Sequence, residues 1–319
     1  MSAAHAHRRA WAIALLAVCF DGLLTPLALA QRPPIFGTGI GIVELQATVK
    51  NERGQLVTTL DRAAFTVYED GKPQAITAFS RDDVAVSVGI VLDHSRSMRA
   101  TRRGVEAAAL ALVRASNPQD EVFVLNFADK ASLDVPFTSE VAALETGIGR
   151  DDCIGGSAIR DAILAGVSHL TAHAARERKV LLVVTDGNDN ASVASAEQVR
   201  EEAKRTGIAI YAIDLSSEAD PAKADRARHA LEELAEETGG VLYCARTGEE
   251  ALEIARDLAR QIRSQYTIRY SPEKQALDGS YRKIRLRAKG PGRLVVRTRA
   301  GYRAAPALRG EPLEKETGT

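Results

Sequence analysis

Residues 84–98 read VAVSVGIVLDHSRSM, and this stretch determines which fold we expect. Its first nine residues form a nearly continuous apolar run, which is typical of a parallel β-strand buried on both faces. The run ends at Asp93, and two hydroxyl side chains, Ser95 and Ser97, follow within four residues. A carboxylate and two neutral oxygens from one turn are ligands that suit a hard divalent cation such as Mg²⁺.

Two later segments contain ligands of the same kind. A Gly-Gly turn delivers Ser157 to the start of an apolar-periodic helix, and residues 179–187 (KVLLVVTDG) form a second buried strand that ends on an acid. Ligands of open parallel sheets bind at the carboxyl ends of the strands. We therefore expect one metal site composed of Asp93, Ser95, Ser97, Ser157 and Asp186.

Each of these residues also has a simpler interpretation. Asp93 and Ser157 can cap the helices that follow them, and Asp186 can belong to an ordinary Asp-Gly turn. The ordered occurrence of all three segments at strand ends favours the metal site over these separate roles. Asp189 and Asn190 are expected to shape the loop after Asp186 and not to bind the metal.

The ordered set resembles the metal-ion-dependent adhesion site of the von Willebrand factor type A domain, in which Asp-x-Ser-x-Ser is followed by a Thr and then an Asp. Two departures are visible, because Arg96 replaces the glycine often found between the serines and Ser157 replaces the Thr. A serine keeps the coordinating hydroxyl, so the resemblance implies an intact site. It also implies that the serines are direct ligands, that the aspartates bind directly or through water, and that a partner's Asp or Glu completes the coordination.

From residue 84 onward the pattern alternates between strands and helices. Strands are expected near 84–92, 121–127, 179–185, 208–214 and 240–243, with a short edge strand at 132–137. Helices are expected near 102–115, 139–147, 157–173, 195–206, 224–238 and 248–264. This order predicts an α/β fold with a Rossmann-like, doubly wound and mainly parallel sheet.

The segments on either side of the α/β region are rich in strands. They are expected at 42–49, 65–71 and 74–80 before it, and at 266–270, 282–288 and 293–299 after it. Three strands alone bury too little surface to be stable, so we expect the two segments to pack together as a small β-sandwich-like companion. The expected organisation is a signal peptide (1–30), a linker (31–41), an N-terminal β segment (42–81), the α/β domain (82–264), a C-terminal β segment (265–303) and a flexible tail (304–319).

The N-terminus has the features of an export signal. Basic residues precede an apolar run at 11–20, and Ala28-Leu29-Ala30 has the small-x-small pattern of a cleavage site. An uncleaved anchor is the alternative, although Asp21 interrupts the apolar stretch. We expect an exported protein, and such a signal fits the periplasm and the cell exterior equally.

Composition excludes some classes of protein. Lys+Arg and Asp+Glu are 42 each, so no overall field favours nucleic acid or an anionic membrane. The glycines at 37–41 lack a preceding strand and a following helix, which argues against a nucleotide-binding loop.

Signal removal leaves two cysteines, Cys153 and Cys244, which either pair in an oxidising compartment or stay separate with Cys244 buried.

The expected function is an exported, metal-dependent protein-binding module of the adhesion type, with Mg²⁺, or alternatively Mn²⁺ or Ca²⁺, as cofactor. Its expected partner is a protein that presents an acidic residue. An envelope assembly or scaffold protein with a structural metal is the alternative, and a hydrolase is a third. We do not expect an enzyme, because no Gly-x-Ser-x-Gly elbow surrounds Ser95, and a Cys153 nucleophile with His169 or His173 rests on residue type alone.

Overall fold

The structure is a computed structural model of the 319-residue chain. It describes residues 41–149, 153–215 and 221–304, with the backbone alone at 221–224. The signal peptide, residues 31–40 of the linker and the tail beyond residue 304 lie outside the described residues, so the statements made for them stay predictions. No helix within the described ranges is both long and apolar enough to cross a membrane.

Strands and helices alternate in the centre of the chain, and strands flank this region on both sides. The strands are β1 (Val43–Asn51), β2 (Phe65–Glu69), β3 (Lys72–Gln74), β4 (Ile76–Ser80), β5 (Val86–Asp93), β6 (Glu121–Phe127), β7 (Ala131–Thr138), β8 (Arg178–Thr185), β9 (Ala209–Asp214), β10 (Leu242–Cys244), β11 (Tyr266–Tyr270), β12 (Tyr281–Ala288), β13 (Leu294–Arg297) and β14 (Gly301–Arg303). The helices are α1 (Arg102–Ala115), α2 (Val141–Ile148), α3 (Ile159–His173), α4 (Ala196–Thr206), α5 (Pro221–Thr238) and α6 (Gly248–Arg263), and 3₁₀ turns occupy Arg62–Ala64 and Arg96–Ala100.

A six-stranded sheet forms the centre of the α/β region, in the order β10-β9-β8-β5-β6-β7. Neighbouring strands are parallel except for β7, which runs antiparallel to β6 at one edge. Every residue of β5 is buried, because helices cover both faces of the sheet. The predicted α/β fold with a mainly parallel sheet is confirmed.

The helices divide into two layers. Helices α1, α2 and α6 pack on one face of the sheet, and α3, α4 and α5 pack on the other. In α3 the buried residues Ile163, Val167 and Leu170 recur at the spacing of one helix face. Helices α1 and α6 approach closely at Gly104 and Gly248, where a Cβ on Gly248 would lie 2.7 Å from the Cα of Gly104. Only glycine fits at that crossing.

The direction in which the chain crosses the sheet reverses at β5. From β5 the chain proceeds outward to β6 and β7, and it then returns to β8 on the other side of β5. The carboxyl ends of β5 and β8 therefore flank a topological switch point, which is where ligands of such sheets bind. Asp93 is the last residue of β5, and Thr185 is the last residue of β8.

The flanking segments form two four-stranded sheets, in the orders β13-β1-β11-β4 and β14-β12-β2-β3. Each sheet combines strands from both ends of the chain, because β1 pairs antiparallel with β11 and β2 pairs antiparallel with β12. Apolar side chains from both sheets form one buried core, to which Leu45, Val67, Ile268 and Leu286 belong. The two segments are thus halves of one β-sandwich.

Two strands of the sandwich differ from the sequence expectation. The sequence predicts one strand over 74–80, but β3 ends at Gln74 and β4 begins at Ile76, because the chain crosses from one sheet to the other there. It predicts three strands after Ser264, whereas Gly301–Arg303 forms a fourth that pairs with β12. Both differences depend on pairing partners far away in sequence, and apolar alternation does not encode those partners.

The hairpin between β2 and β3 turns at Asp70 and Gly71, as the Asp-Gly pair predicts. Both residues have positive φ, 48° and 83°, which is the conformation that a two-residue hairpin turn requires. The Asp70 carboxylate also accepts a hydrogen bond from the Lys283 amide at 2.9 Å. The turn is therefore attached to β12 as well as to its own hairpin.

Candidate functional site

Asp93 lies at the centre of the candidate site and is completely buried. Its Oδ1 accepts a hydrogen bond from the Ser95 amide at 2.8 Å. Its Oδ2 accepts hydrogen bonds from the Ser157 hydroxyl at 2.9 Å and from the Thr185 hydroxyl at 2.6 Å. The cap interpretation of Asp93 is wrong, because α1 begins only at Arg102 and Asp93 instead joins three loops.

Burial raises the pKa of the Asp93 carboxyl above its ordinary value. Hydrogen bonds from Thr185 and Ser95 oppose this rise, whereas the negative charge of Asp186 adds to it. Among the described residues, Asp93 forms no ion pair with a basic side chain. A buried carboxylate in this environment is one whose charge a cation would compensate.

Ser95 and Ser97 are placed by the 3₁₀ turn that follows β5. Their hydroxyl oxygens are 3.0 Å apart, with Ser95 buried and Ser97 exposed. Met98 anchors the turn, since its side chain is fully buried in the core on the α1 side of the sheet. Arg96 is exposed between the two serines, so its cation lies at the rim of the site.

Ser157 lies in the loop before α3 and is buried. Its hydroxyl donates to Asp93, and its amide donates to Asn190 Oδ1 at 2.8 Å. The simpler interpretation of Ser157 as a helix cap is wrong, because α3 begins at Ile159 and its flanking residue, Ala158, makes no side-chain cap. The serine is therefore available to the site and not consumed by the helix.

Glycine is required in the loop that carries Ser157. Gly155 has a φ of +81°, and a Cβ there would lie 2.3 Å from Asp129 Oδ2. The Asp129 carboxylate also accepts a hydrogen bond from the Gly156 amide at 2.8 Å. Asp129, which the sequence analysis did not consider, thus holds the Ser157 loop against the end of β6.

Asp186 follows β8 directly and is half-buried. Its Oδ1 accepts a hydrogen bond from the Asn188 amide at 3.2 Å, and Gly187 has a φ of 77°. Asp186 therefore belongs to the Asp-Gly turn that its simpler interpretation describes. Asp186 also directly follows Thr185, whose hydroxyl donates to Asp93, so the chain places it at the same edge of the sheet.

Thr185 is the functional residue that sequence reasoning missed. Its hydroxyl donates to Asp93 and accepts a hydrogen bond from the Gly187 amide at 3.1 Å. The signal was present, because Thr185 is the polar residue that follows the apolar run 180–184 at the end of β8. It was hidden because threonine is common in strands.

The loop after Asp186 is held by a polar network, as predicted for Asp189. The Asp189 carboxylate pairs with Arg160 at 2.9 Å and accepts the Ser192 hydroxyl at 2.8 Å. The Ser192 hydroxyl in turn lies 3.0 Å from the Arg160 amide in the first turn of α3. Asn190, which binds the Ser157 amide, completes the connection between the two loops.

The two cysteines and His169 are not among the candidate ligands. Among the described residues Cys153 and Cys244 form no disulfide, and Cys153 is buried whereas Cys244 is exposed. The expectation that Cys244 is buried is wrong, because it ends β10 at the edge of the sheet. His169 packs against the rings of Phe123 and Phe137, with centroids 4.6 and 5.3 Å away. Its packing is that of an ordinary ring in an aromatic cluster.

Serine hydroxyls are essential to any metal site at this position. In the part of the chain that the structure describes, no three His, Cys, Asp or Glu side chains converge as a metal centre. The five sequence-predicted residues instead combine two carboxylates with three hydroxyls at the carboxyl edge of the sheet. These five side chains offer only oxygen, which is the donor that hard divalent cations prefer.

Several solved structures are similar to this chain. An aerotolerance-related membrane protein from Bacteroides fragilis, solved with multiple mutations to serine, is 20% identical, with 56% of this chain and 98% of that chain covered and a TM-score of 0.46. The vWF domain of the type V pili tip protein Mfa5 from Porphyromonas gingivalis is 13% identical, with 56% and 95% covered and a TM-score of 0.48. A von Willebrand factor type A protein from Catenulispora acidiphila is 15% identical, with 84% and 74% covered and a TM-score of 0.49.

No curated protein matches the chain. The family model of the von Willebrand factor type A domain, however, matches residues 87–257. This range begins in β5, ends in α6 and includes all five candidate ligands. Since the match spans more than half of the sequence, the chain belongs to the von Willebrand factor type A domain family.

Proposed function

We propose that this protein is an exported, metal-dependent protein-binding module of the adhesion type. A divalent cation, Mg²⁺ or alternatively Mn²⁺ or Ca²⁺, is held at the carboxyl edge of the central sheet, and an Asp or Glu of a partner protein binds to it. The observation that carries the proposal is the buried Asp93 carboxylate, which bonds with hydroxyl groups and backbone from three loops and has no basic partner among the described residues.

The donor set fits such a cation. Hydroxyls are neutral, so Ser95, Ser97 and Ser157 offer oxygen lone pairs without cancelling the charge of the ion. Asp93 and Asp186 supply two negative charges, which match the charge of a divalent ion. Ser97 is exposed, so this edge of the site is open to a partner.

The side chains of the candidate site hold its loops in position. Asp93 accepts hydrogen bonds from Ser157 and Thr185, and it thereby fixes the ends of β5, β8 and the α3 loop relative to one another. Arg96 adds a second positive charge at the rim, which favours an acidic partner. When bound, the cation supplies the positive charge that a partner carboxylate requires once both have lost water.

Export to the periplasm or the cell exterior is part of the same proposal and rests on the signal-like N-terminus. The alternative is an envelope assembly or scaffold protein in which the metal only holds the loops together. In that case the partner surface lies elsewhere, and partner binding does not depend on metal. A hydrolase, the third class, would turn over a small substrate and lose that activity in the Ser95→Ala variant.

Metal binding is tested first, by calorimetric titration of Mg²⁺ into residues 31–319. The wild type is expected to bind one ion, and the Ser95→Ala variant is expected to bind at least about tenfold more weakly. Ser116→Ala is the matched control, because that hydroxyl bonds the Leu112 carbonyl at the other end of α1. No heat of binding with Mg²⁺, Mn²⁺ or Ca²⁺ in the wild type contradicts the proposal.

Partner binding is tested with a pull-down from envelope and culture-supernatant fractions. The bait is the wild type with Mg²⁺, the wild type with EDTA, or the Ser95→Ala variant with Mg²⁺. A partner retained only in the first case supports a metal-bridged interface. A partner retained in all three cases places the interface away from the site and supports the scaffold alternative.

A further inference from the structure

A groove of about 630 Å³ lies between the outer face of the β14-β12-β2-β3 sheet and helices α4 and α5. Its floor is β12, in which Lys283, Arg285 and Arg287 are exposed while the residues between them are buried. Successive side chains of a strand point to opposite faces of the sheet. The three cations therefore form one row along the outer face.

The row of cations has one carboxylate beside it, that of Asp70, which accepts a hydrogen bond from the Lys283 amide at 2.9 Å. Within the described ranges, none of the three makes an ion pair. The acidic residue that lines the groove, Glu237, already lies 3.6 Å from Lys204 and 3.5 Å from Arg200. Since the chain as a whole has no net charge, the row is a local concentration of positive charge.

Two tyrosines hold cations of the groove in place. The Arg287 guanidinium lies 5.4 Å from the ring centroid of Tyr68, and the Lys204 ammonium lies 5.5 Å from that of Tyr281. Such contacts restrict the cations before any ligand arrives. Each cation also covers one face of its ring, which blocks stacking of a ligand on that face.

We propose that this groove binds an extended, acidic segment of a partner protein that carries a carboxylate at every second residue. Alternate side chains of a strand are about 6.8 Å apart, and an extended peptide repeats its own side chains at the same interval. Three carboxylates of such a segment can therefore face the three cations of β12 one to one. Lys204 of α4 and Glu237 of α5 line one side of the groove, which favours an extended chain over a flat membrane surface. The groove is separate from Asp93 and needs no metal.

The probe is a fluorescein-labelled peptide of five Glu-Thr repeats, and its binding is followed by fluorescence anisotropy. All solutions contain EDTA, so failure of the proposed metal site leaves this measurement unaffected. We expect the peptide to bind the full-length protein. Its affinity should fall as NaCl is raised from 50 to 300 mM, since salt screens the attraction between exposed charges. A peptide of five Glu followed by five Thr has the same charge and is expected to bind more weakly.

The decisive variant is Arg285→Glu/Arg287→Glu, for which we expect the dissociation constant to rise at least about tenfold. Arg53→Glu/Arg81→Glu is the matched control, because it changes the net charge equally at two exposed residues outside the groove. Circular dichroism verifies that both variants fold. Equal losses in the two variants, or equal binding of the two peptides, overturn the proposal in favour of a diffuse charge effect. Binding to phosphatidylglycerol vesicles without binding to either peptide overturns it in favour of a membrane.

Discussion

Replacing Thr185 with valine tests how the candidate site is built. Valine keeps the shape of threonine and removes the hydroxyl that donates to Asp93 at 2.6 Å. Both residues are completely buried, so solvent cannot replace the lost bond. A hydrogen bond to a charged group contributes about 1.5–3 kcal/mol, and the Gly187 amide loses its acceptor as well. We expect the free energy of unfolding to fall by about 2–4 kcal/mol.

The assay is urea unfolding at neutral pH in EDTA, followed by far-UV circular dichroism. Thr171→Val is the matched control, because the Thr171 hydroxyl bonds a helix carbonyl, that of Val167, at an exposed position. Its free energy of unfolding is expected to stay within about 0.5 kcal/mol of the wild type. If the proposed metal site exists, Thr185→Val also weakens Mg²⁺ binding about 10- to 100-fold, because the side chain orients Asp93.

Two outcomes would refute this reasoning at different steps. A Thr185→Val protein as stable as the Thr171→Val control would show that the hydroxyl does not hold the Asp93 carboxylate. A protein that loses stability but binds Mg²⁺ as well as the wild type would show that Asp93 needs no such orientation. The first result concerns the fold of the site, and the second concerns its proposed chemistry.

Two further predictions concern charged groups in the folded chain. Glu69→Gln is expected to lower the free energy of unfolding by about 3–5 kcal/mol, because the buried Arg282 loses the buried carboxylate that lies 3.4 Å away and keeps only the more exposed Asp278 at 3.8 Å. A variant that unfolds at the same urea concentration as the wild type would contradict this. Burial raises the pKa of Asp189, but hydrogen bonds from Arg160 and Ser192 outweigh it and lower the pKa overall. Asp189 therefore stabilises the fold above the ordinary Asp pKa of about 3.9, and the stability gap to Asp189→Asn should shrink as the pH falls below that value. A gap that stays constant from pH 7 to pH 3 would argue against the assignment.

Much of the α/β region could be predicted because its signals are local. The apolar run before Asp93 marks a strand buried on both faces. In the flanking β segment, the Asp-Gly pair at 70–71 marks a tight turn for the same reason. The Gly-Gly turn ahead of a predicted helix likewise indicated Ser157, whose hydroxyl the structure brings to Asp93. The sequence places the start of this helix near residue 157, whereas α3 begins two residues later, at Ile159.

The residues that support the site were harder to find. Thr185 and Asp129 act through single hydrogen bonds to partners far away in the sequence. A threonine in a strand and an aspartate in a turn are both ordinary, so neither stands out before the chain is folded. Their roles become visible only when β5, β6 and β8 lie side by side.

The sequence by itself determined the fold class, the order of the strands and helices in the α/β region, and the strand ends that carry the candidate ligands. Periodicity and turn residues act over a few positions, so a linear pattern is enough to specify them. Tertiary structure decided the sheet to which each flanking strand belongs, the hydroxyl contacts of Asp93, and the joining of β12 with α4 and α5 into one basic groove. These depend on contacts between residues that are distant in the chain, and only the folded state defines such contacts.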